Sequence, residues 1–286
     1  MRRVGAACLA WVVFAAPVLA AGYDDFTRGM TANLRGDSAT AVVSFSAALA
    51  ASDLVPVYKP AAFRGRASAY LAQDKCSEAL ADLKAYEGLK KPDNTVIALR
   101  VWAELCLKDA VAARKDLDTV AQGKLDVADL WDFSRLEWRY GLFDDATATA
   151  REAFKIADKK QYGTAYILLW QALSAVRAGK LDAGAIAVSL AELKLDDWPG
   201  PILDLYLGKQ TPAGLQKEAS SWRESKETAQ RCEANFYTAE WYLGRNDTAA
   251  ATPLLLAVNE KCPIDFIELT AARAELKRLG VPLPKE

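Results

Sequence analysis

The sequence contains no histidine. That excludes a Ser-His-Asp or Cys-His catalytic arrangement and every zinc site that relies on imidazole. A Gly-rich phosphate loop, a G-x-S-x-G turn and a C-x-x-C pair are also missing, so the local signatures of nucleotide binding, serine hydrolysis and thiol exchange are absent. Neither sign of charge is in excess, with 36 Lys and Arg against 37 Asp and Glu. A nucleic-acid partner needs a concentrated basic surface and is not expected. Beyond the first twenty residues, no apolar run approaches the ~20 residues that a bilayer-spanning helix requires. No cofactor and no metal is expected, and the chain reads as noncatalytic.

What is present begins with MRRVGAACLAWVVFAAPVLAAGY. Two arginines, an apolar stretch and a small-residue pattern ending at Ala20 read as a secretory signal peptide over residues 1–20. Setting aside Arg2 and Arg3 leaves 34 of the 36 basic residues, so the remaining chain is weakly acidic. Cys8 has no Leu-x-Ala or Leu-x-Gly before it. The expectation is therefore an exported protein, periplasmic, without a stable membrane anchor once the leader is removed.

The rest of the chain repeats. A small residue is followed four positions later by an apolar one and seven later by another, at Ala41-Phe45-Ala48, Ala79-Leu83-Tyr86, Ala113-Leu117-Val120, Ala146-Ala150-Ala153, Gly184-Val188-Ala191 and Ala250-Leu254-Ala257. The first members stand 38, 34, 33, 38 and 66 residues apart. A period near 34, with one double interval, is the signature of an array of two-helix units. Each instance follows a turn and an apolar helix, and small residues let paired helices approach closely. Gly141 and Gly244 are placed in such turns, the third unit lacks a clear turn glycine, and Pro253 either kinks its helix or marks its start. Between Ala191 and Cys232 the pattern lapses into LDDWPGPILDLYLGKQTPAGLQKEASSWRES, where Thr211-Pro212 suits a helix start.

This pattern resembles the tetratricopeptide repeat (TPR) family across most of residues 23–280. The fold expected is all-α, a TPR-like α-solenoid of helix-turn-helix repeats with a non-repeat helical insert before the last repeat. The domain boundaries expected are 21–195 for the repeats, 196–231 for the insert, and 232–286 for the C-terminal repeat and capping helix. The order of Trp198, Ile202, Tyr206-Leu207-Gly208, then Asn235-Phe236-Tyr237 and Tyr242-Leu243-Gly244, then Asp265-Phe266-Ile267-Glu268, Ala272 and Glu275-Leu276 resembles the NlpI-type family of periplasmic TPR adaptors. That resemblance implies a noncatalytic, dimeric adaptor that binds envelope proteins and brings peptidoglycan hydrolases to a protease.

Four cysteines follow the leader. Cys232 and Cys262 bracket a helical hairpin, whose two outer ends lie together, and an oxidising compartment favours a bridge there. Closing that loop stabilises by roughly 3.6 kcal/mol in the chain-entropy description. Cys76 and Cys106 fall on the same edge of neighbouring units and make a second expected bridge. Three connectivities remain open on sequence alone.

A partner surface is expected from first-helix positions, namely Arg64, Trp102, Trp131, Arg135, Trp138, Arg139, Tyr166 and Arg177. Arginine grips carboxylates bidentately and indole supplies anchor area, the combination enriched at binding hot spots. The Asp24-Asp25, Asp144-Asp145 and Asp196-Asp197 pairs read as helix-start residues. The leading function is an exported scaffold for envelope proteins or peptides, with homodimerisation through the N-terminal helix. The alternatives are a periplasmic chaperone and a peptidoglycan-cleaving enzyme, for which Glu137 is the one candidate acid.

Overall fold

The structure, a computed structural model, describes residues 21–120, 125–195, 197–219, 224–263 and 266–283. The expected leader at 1–20, Asp196 and Asp265 lie outside the described residues. Fifteen α-helices and one short 3-10 turn are found there, and no strand among the described residues. They form two compact units that divide within a helix, after Ala103.

The first unit pairs α1 (Ala21–Leu34) with α2 (Ser38–Ala50) and α3 (Lys59–Ala72) with α4 (Cys76–Glu87), and α2 packs on α3. Helix α5 (Asn94–Cys106) begins in this unit. The core is Phe26, Ala41, Phe45, Ala48, Leu54, Ala62 and Ala69. Asn33 donates to the Gly65 carbonyl at 2.8 Å, and Arg66 forks onto Asp82 with two bonds of 2.7 Å while also reaching Ser46. Arg66 thus ties α3 to both α2 and α4.

The second unit contains α6 (Ala110–Val120), α7 (Val127–Arg139), α8 (Phe143–Ile156), α9 (Gly163–Arg177), α10 (Ala183–Leu193), α11 (Gly200–Tyr206), α12 (Pro212–Glu218), α13 (Glu224–Leu243), α14 (Thr248–Lys261) and α15 (Ile267–Arg278). Antiparallel neighbours are α7 with α8, α8 with α9, and α13 with α14. Helix α9 is central: every residue from Thr164 to Val176 except Tyr166 is buried, and it packs on α7, α8, α10, α11 and α13. The expected non-repeat pair is α11 and α12, and Thr211 caps α12 by accepting from Gly214 N–H at 3.1 Å, with Pro212 in the first turn. Helix α15 returns onto α7 and α13.

One backbone device recurs at each hairpin turn. The residue at 36, 74, 108, 141, 179 or 246 adopts a left-handed conformation, with φ between 53° and 75°. The next residue's N–H then donates back five positions, as in Lys75 to Tyr70 at 2.9 Å and Leu142 to Glu137 at 2.9 Å. This is the Schellman closure of a helix end. Gly141 fills the role expected of it. In the third unit, which lacks a turn glycine, Lys108 takes the left-handed position. In three turns the following aspartate then caps the next helix: Asp37, Asp109 and Asp247 each accept from an N–H three residues on at 3.0 Å.

The small residue five positions after the turn is buried in five of the six hairpins, at Ala41, Ala79, Ala113, Ala146 and Ala251. Two expectations are corrected by this register. In α14 the buried set is Ala251, Leu255 and Val258, one residue later than Ala250-Leu254-Ala257. In α10 the expected set faces out, with Val188 67% exposed and Ile186 buried instead. Gly244 is not a left-handed turn residue. A Cβ there would meet Val176 Cγ1 at 2.0 Å and the Val176 carbonyl oxygen at 3.1 Å, so its role is the close approach of α13 to the end of α9. Pro253 lies inside α14, which starts at Thr248.

Cys232 and Cys262 form a disulfide with Cα atoms 5.7 Å apart. Cys232 stands within α13 instead of at its start, because α13 begins at Glu224. Cys76 in the first unit and Cys106 in the second are each disulfide-bonded.

Candidate functional site

Of the eight residues expected on a partner surface, Arg64 on α3 and Trp102 on α5 belong to the first unit, and both are half-buried. The other six lie in the second unit, and the structure separates them into exposed and enclosed groups.

Trp138 is a correction. It is 1% exposed and sits in the core, its ring 5.2 Å from that of Trp170 and 6.0 Å from that of Phe236. It is enclosed because α15 folds back over the end of α7, where Arg278 donates to the Trp138 and Arg139 carbonyls at 3.3 and 2.8 Å. Those carbonyls are helix-end acceptors that the α-helix itself leaves unfilled. Arg139 is half-buried beside this contact.

Arg177 is the second correction. Its side chain is 11% exposed, and its Nη1 donates to Glu240 and to Glu275 at 2.6 Å each. Its guanidinium lies 4.5 Å from the Phe143 ring centre. Arg278 pairs with Glu275 from the same helix. Two carboxylates and two guanidinia therefore close a buried knot across α9, α13 and α15. Burial pushes the Glu240 carboxyl up to about 8, with Glu275 adding to the rise and Arg177 opposing it. Its two carboxylates are fully enclosed and hold the three helices in register, and Arg278 is its exposed member.

Tyr166 belongs to a neighbouring chain of polar contacts. Its hydroxyl donates to Glu233 at 3.0 Å, and the Trp198 indole N–H donates to the same carboxylate oxygen at 2.6 Å. Burial lifts Glu233 to about 7, Glu268 adds to the rise, and the two donors counter it. Tyr237 donates to Glu268 at 3.1 Å. Burial also raises Glu268, while the hydrogen bond from Tyr237 and the nearby Arg135 lower it.

Trp131 and Arg135 form the half-exposed part of the set. Arg135 stacks 4.9 Å from the Trp131 ring centre and pairs with Asp132. The Trp131 Nε1 and the Arg135 Nε make no hydrogen bond among the described residues. Both nitrogens are buried, so the outward feature of the pair is the guanidinium stacked on the indole face, a combination suited to anchoring a partner.

On α7, Glu137 lines an open cleft of about 690 Å³ formed with α6 and α8. It is 3% exposed, and its Oε2 lacks a hydrogen-bond partner among the described residues. Burial raises this carboxyl to about 8, which a hydrogen bond with Thr149 moderates. Sequence reasoning named Glu137 but missed Glu233, Glu240 and Glu275 as a buried set. Their only signal is a glutamate within a run that otherwise reads as core, as in FYTAEWYLG.

Among the described residues no group of His, Cys, Asp and Glu could hold a metal ion, and no helix is long and apolar enough to cross a membrane. No protein-family model matches the chain, and no curated protein matches it. Two solved structures are similar to it: a tetratricopeptide repeat protein from Parabacteroides merdae and the C-terminal part of a TPR repeat-containing protein from Cytophaga hutchinsonii. Each is 12% identical with a TM-score of 0.46; the first covers 90% of this chain and 99% of its own, the second 89% and 88%.

Proposed function

We propose that this chain is an exported, noncatalytic scaffold that binds envelope proteins or peptides. The observation that supports it best is the Trp131–Arg135 stack, half-exposed on α7 with the guanidinium over the indole face. It is held on α7, which pairs with α8 in a helical hairpin. Rigid helices present the pair in one geometry, so little side-chain entropy is lost on binding. Export rests on the leader-like first twenty residues, and a role with peptidoglycan hydrolases or their proteolysis rests on the resemblance to periplasmic TPR adaptors. Homodimerisation through α1 belongs to the same reading.

The experiment is crosslinking in the periplasm with tagged protein, comparing the natural chain with Arg135→Glu and Trp131→Ala. A defined partner recovered with the natural chain and lost with both variants supports the scaffold. An identical set of partners from all three removes this surface. A second reading, an acid-dependent glycan hydrolase, is favoured by one observation, the raised Glu137 carboxyl at an open cleft. Digestion of purified peptidoglycan, abolished by Glu137→Gln, would establish it.

A further inference from the structure

Helix α15 buries Glu268, Leu269, Ala271, Ala272, Glu275 and Leu276. A Glu-Leu pair therefore recurs seven residues apart on one face, a spacing of two helical turns. Each acid finds its partner on another helix. Glu268 accepts from the Tyr237 hydroxyl of α13 at 3.1 Å, and Glu275 accepts from Arg177 of α9 at 2.6 Å. Three residues on, Arg278 fills the Trp138 and Arg139 carbonyls at the end of α7, and its guanidinium lies 5.5 Å from the ring centres of both Trp138 and Phe143. Helix α15 also packs along α14. Beneath it lies a seat whose hydroxyl donor, guanidinium and helix-end acceptors match an acid, an acid and a base in order along one helix face.

The helix that fills this seat is lightly held. Leu269 and Leu276 are the only large apolar side chains it buries fully. Its buried ion pairs contribute little net stability, because desolvation of the charges offsets their attraction. Two leucines must then offset the ordering of twelve residues. Elements with few buried apolar contacts open at the low end of local stability. The Trp131–Arg135 stack borders the same seat: Arg135 lies near enough to Glu268 to favour its charged form, and is itself half-exposed.

We propose that α15 is an internal ligand, and that a partner helix with the same face displaces it from the seat on α7, α9 and α13. That face is Glu-Leu twice at a spacing of seven, with an arginine three residues after the second glutamate. The inference rests on the scaffold reading and gives its partner a chemistry: an amphipathic helix that lands beside Trp131 and Arg135 and completes its grip once α15 has swung out. The seat selects by charge order as well as by shape. A helix with a base in place of the second acid brings a cation to Arg177, and one without the arginine leaves two helix-end carbonyls unfilled.

The test uses the full, oxidised chain and a fluorescently labelled synthetic peptide of residues 266–281. Hydrogen exchange on the natural chain comes first and needs no variant. Amides of α15 should exchange through a local opening, at least about tenfold faster than those in the middle of α13. Equal rates would make α15 a fixed cap and overturn the proposal. Fluorescence anisotropy then compares peptide binding by the natural chain and by the double variant Leu276→Ala, Arg278→Gln, which loosens α15 and leaves the seat unaltered. The peptide should bind the variant at least about tenfold tighter, since the tethered competitor has been weakened. A peptide carrying Glu275→Gln and Arg278→Gln should bind the variant at least about tenfold more weakly than the natural peptide. No binding to the folded variant, equal affinity for the two chains, or equal affinity of the two peptides overturns the seat. If the peptide binds as described and no partner is crosslinked, the internal ligand stands and the scaffold reading falls. If exchange shows a fixed cap while Arg135→Glu still abolishes crosslinking, the reverse holds.

Discussion

Phe45 on α2 occupies the space that a side chain at Gly65 on α3 would need. A Cβ built on Gly65 lies 2.4 Å from the ring Cζ, and one on Gly29 of α1 lies 2.8 Å from Cδ1 of the same ring. Phe45 is fully buried between the two glycines and cannot swing away. Glycine to alanine inside a helix ordinarily stabilises by up to about 1 kcal/mol. Here overpacking opposes that gain, and Gly65→Ala is expected to destabilise the first unit by about 1–3 kcal/mol. Urea unfolding followed by circular dichroism measures it, and a gain in stability would show that the ring is not trapped.

The Cys232–Cys262 bond closes a separation of 30 residues. Replacing both cysteines with serine should cost about 2–4 kcal/mol. The loss should be absent when the natural protein is unfolded in reductant, because both chains are then unbridged there. A double variant as stable as the oxidised protein would contradict this.

Much of the fold can be read locally, because a left-handed residue, an aspartate and a small residue five positions after the turn all sit within one short segment. The shift in α14 arises because Thr-Ala-Ala-Ala-Thr-Pro-Leu-Leu-Leu-Ala offers the same spacing at Ala250 and at Ala251, and only packing chooses between them. The open face of α10 has a similar origin: its residues carry the pattern, but α11 and α12 follow it instead of a further repeat. The site was harder to read. Trp131 and Trp138 lie seven residues apart on one side of α7, yet only the second is enclosed, by α9, α13 and the returning α15. Arg177 is separated from Glu240 and Glu275 by 63 and 98 residues. No local pattern links charges across such distances.

Glu233 gives the molecule a pH dependence whose sign follows from its environment. Its folded-state carboxyl is raised to about 7, above the ordinary value of 4.5. Below pH 4.5 both states are protonated, and the protein has the full benefit of the neutral buried acid. As pH rises towards 7 the unfolded chain loses the proton first, so stability falls across that window and levels off above it. Glu233→Gln keeps an acceptor for Trp198 and Tyr166 and removes the titration. The variant should flatten the stability profile between pH 4.5 and 7 by up to about 1.4 kcal/mol per pH unit. Chemical denaturation at a series of pH values measures this, and parallel profiles for the two proteins would refute it.

The ion cluster around Arg177 makes the last prediction a comparison between two ways of dismantling it. Arg177→Met removes the guanidinium that lies 2.6 Å from both Glu240 and Glu275. It leaves two enclosed carboxylates with Arg278 alone to offset them. Breaking one side of a buried ion pair costs about 3–5 kcal/mol, mostly the penalty of the stranded charge. The triple change Arg177→Met, Glu240→Gln, Glu275→Gln removes the charges together, and should recover most of that loss. The single variant should also regain more stability than the triple variant as pH is lowered, since protonating Glu240 relieves the stranded charge on top of the Glu233 response that both variants keep. Equal destabilisation of the single and triple variants would mean that the loss comes from the contact of the Arg177 guanidinium with the Phe143 ring, and not from stranded charge.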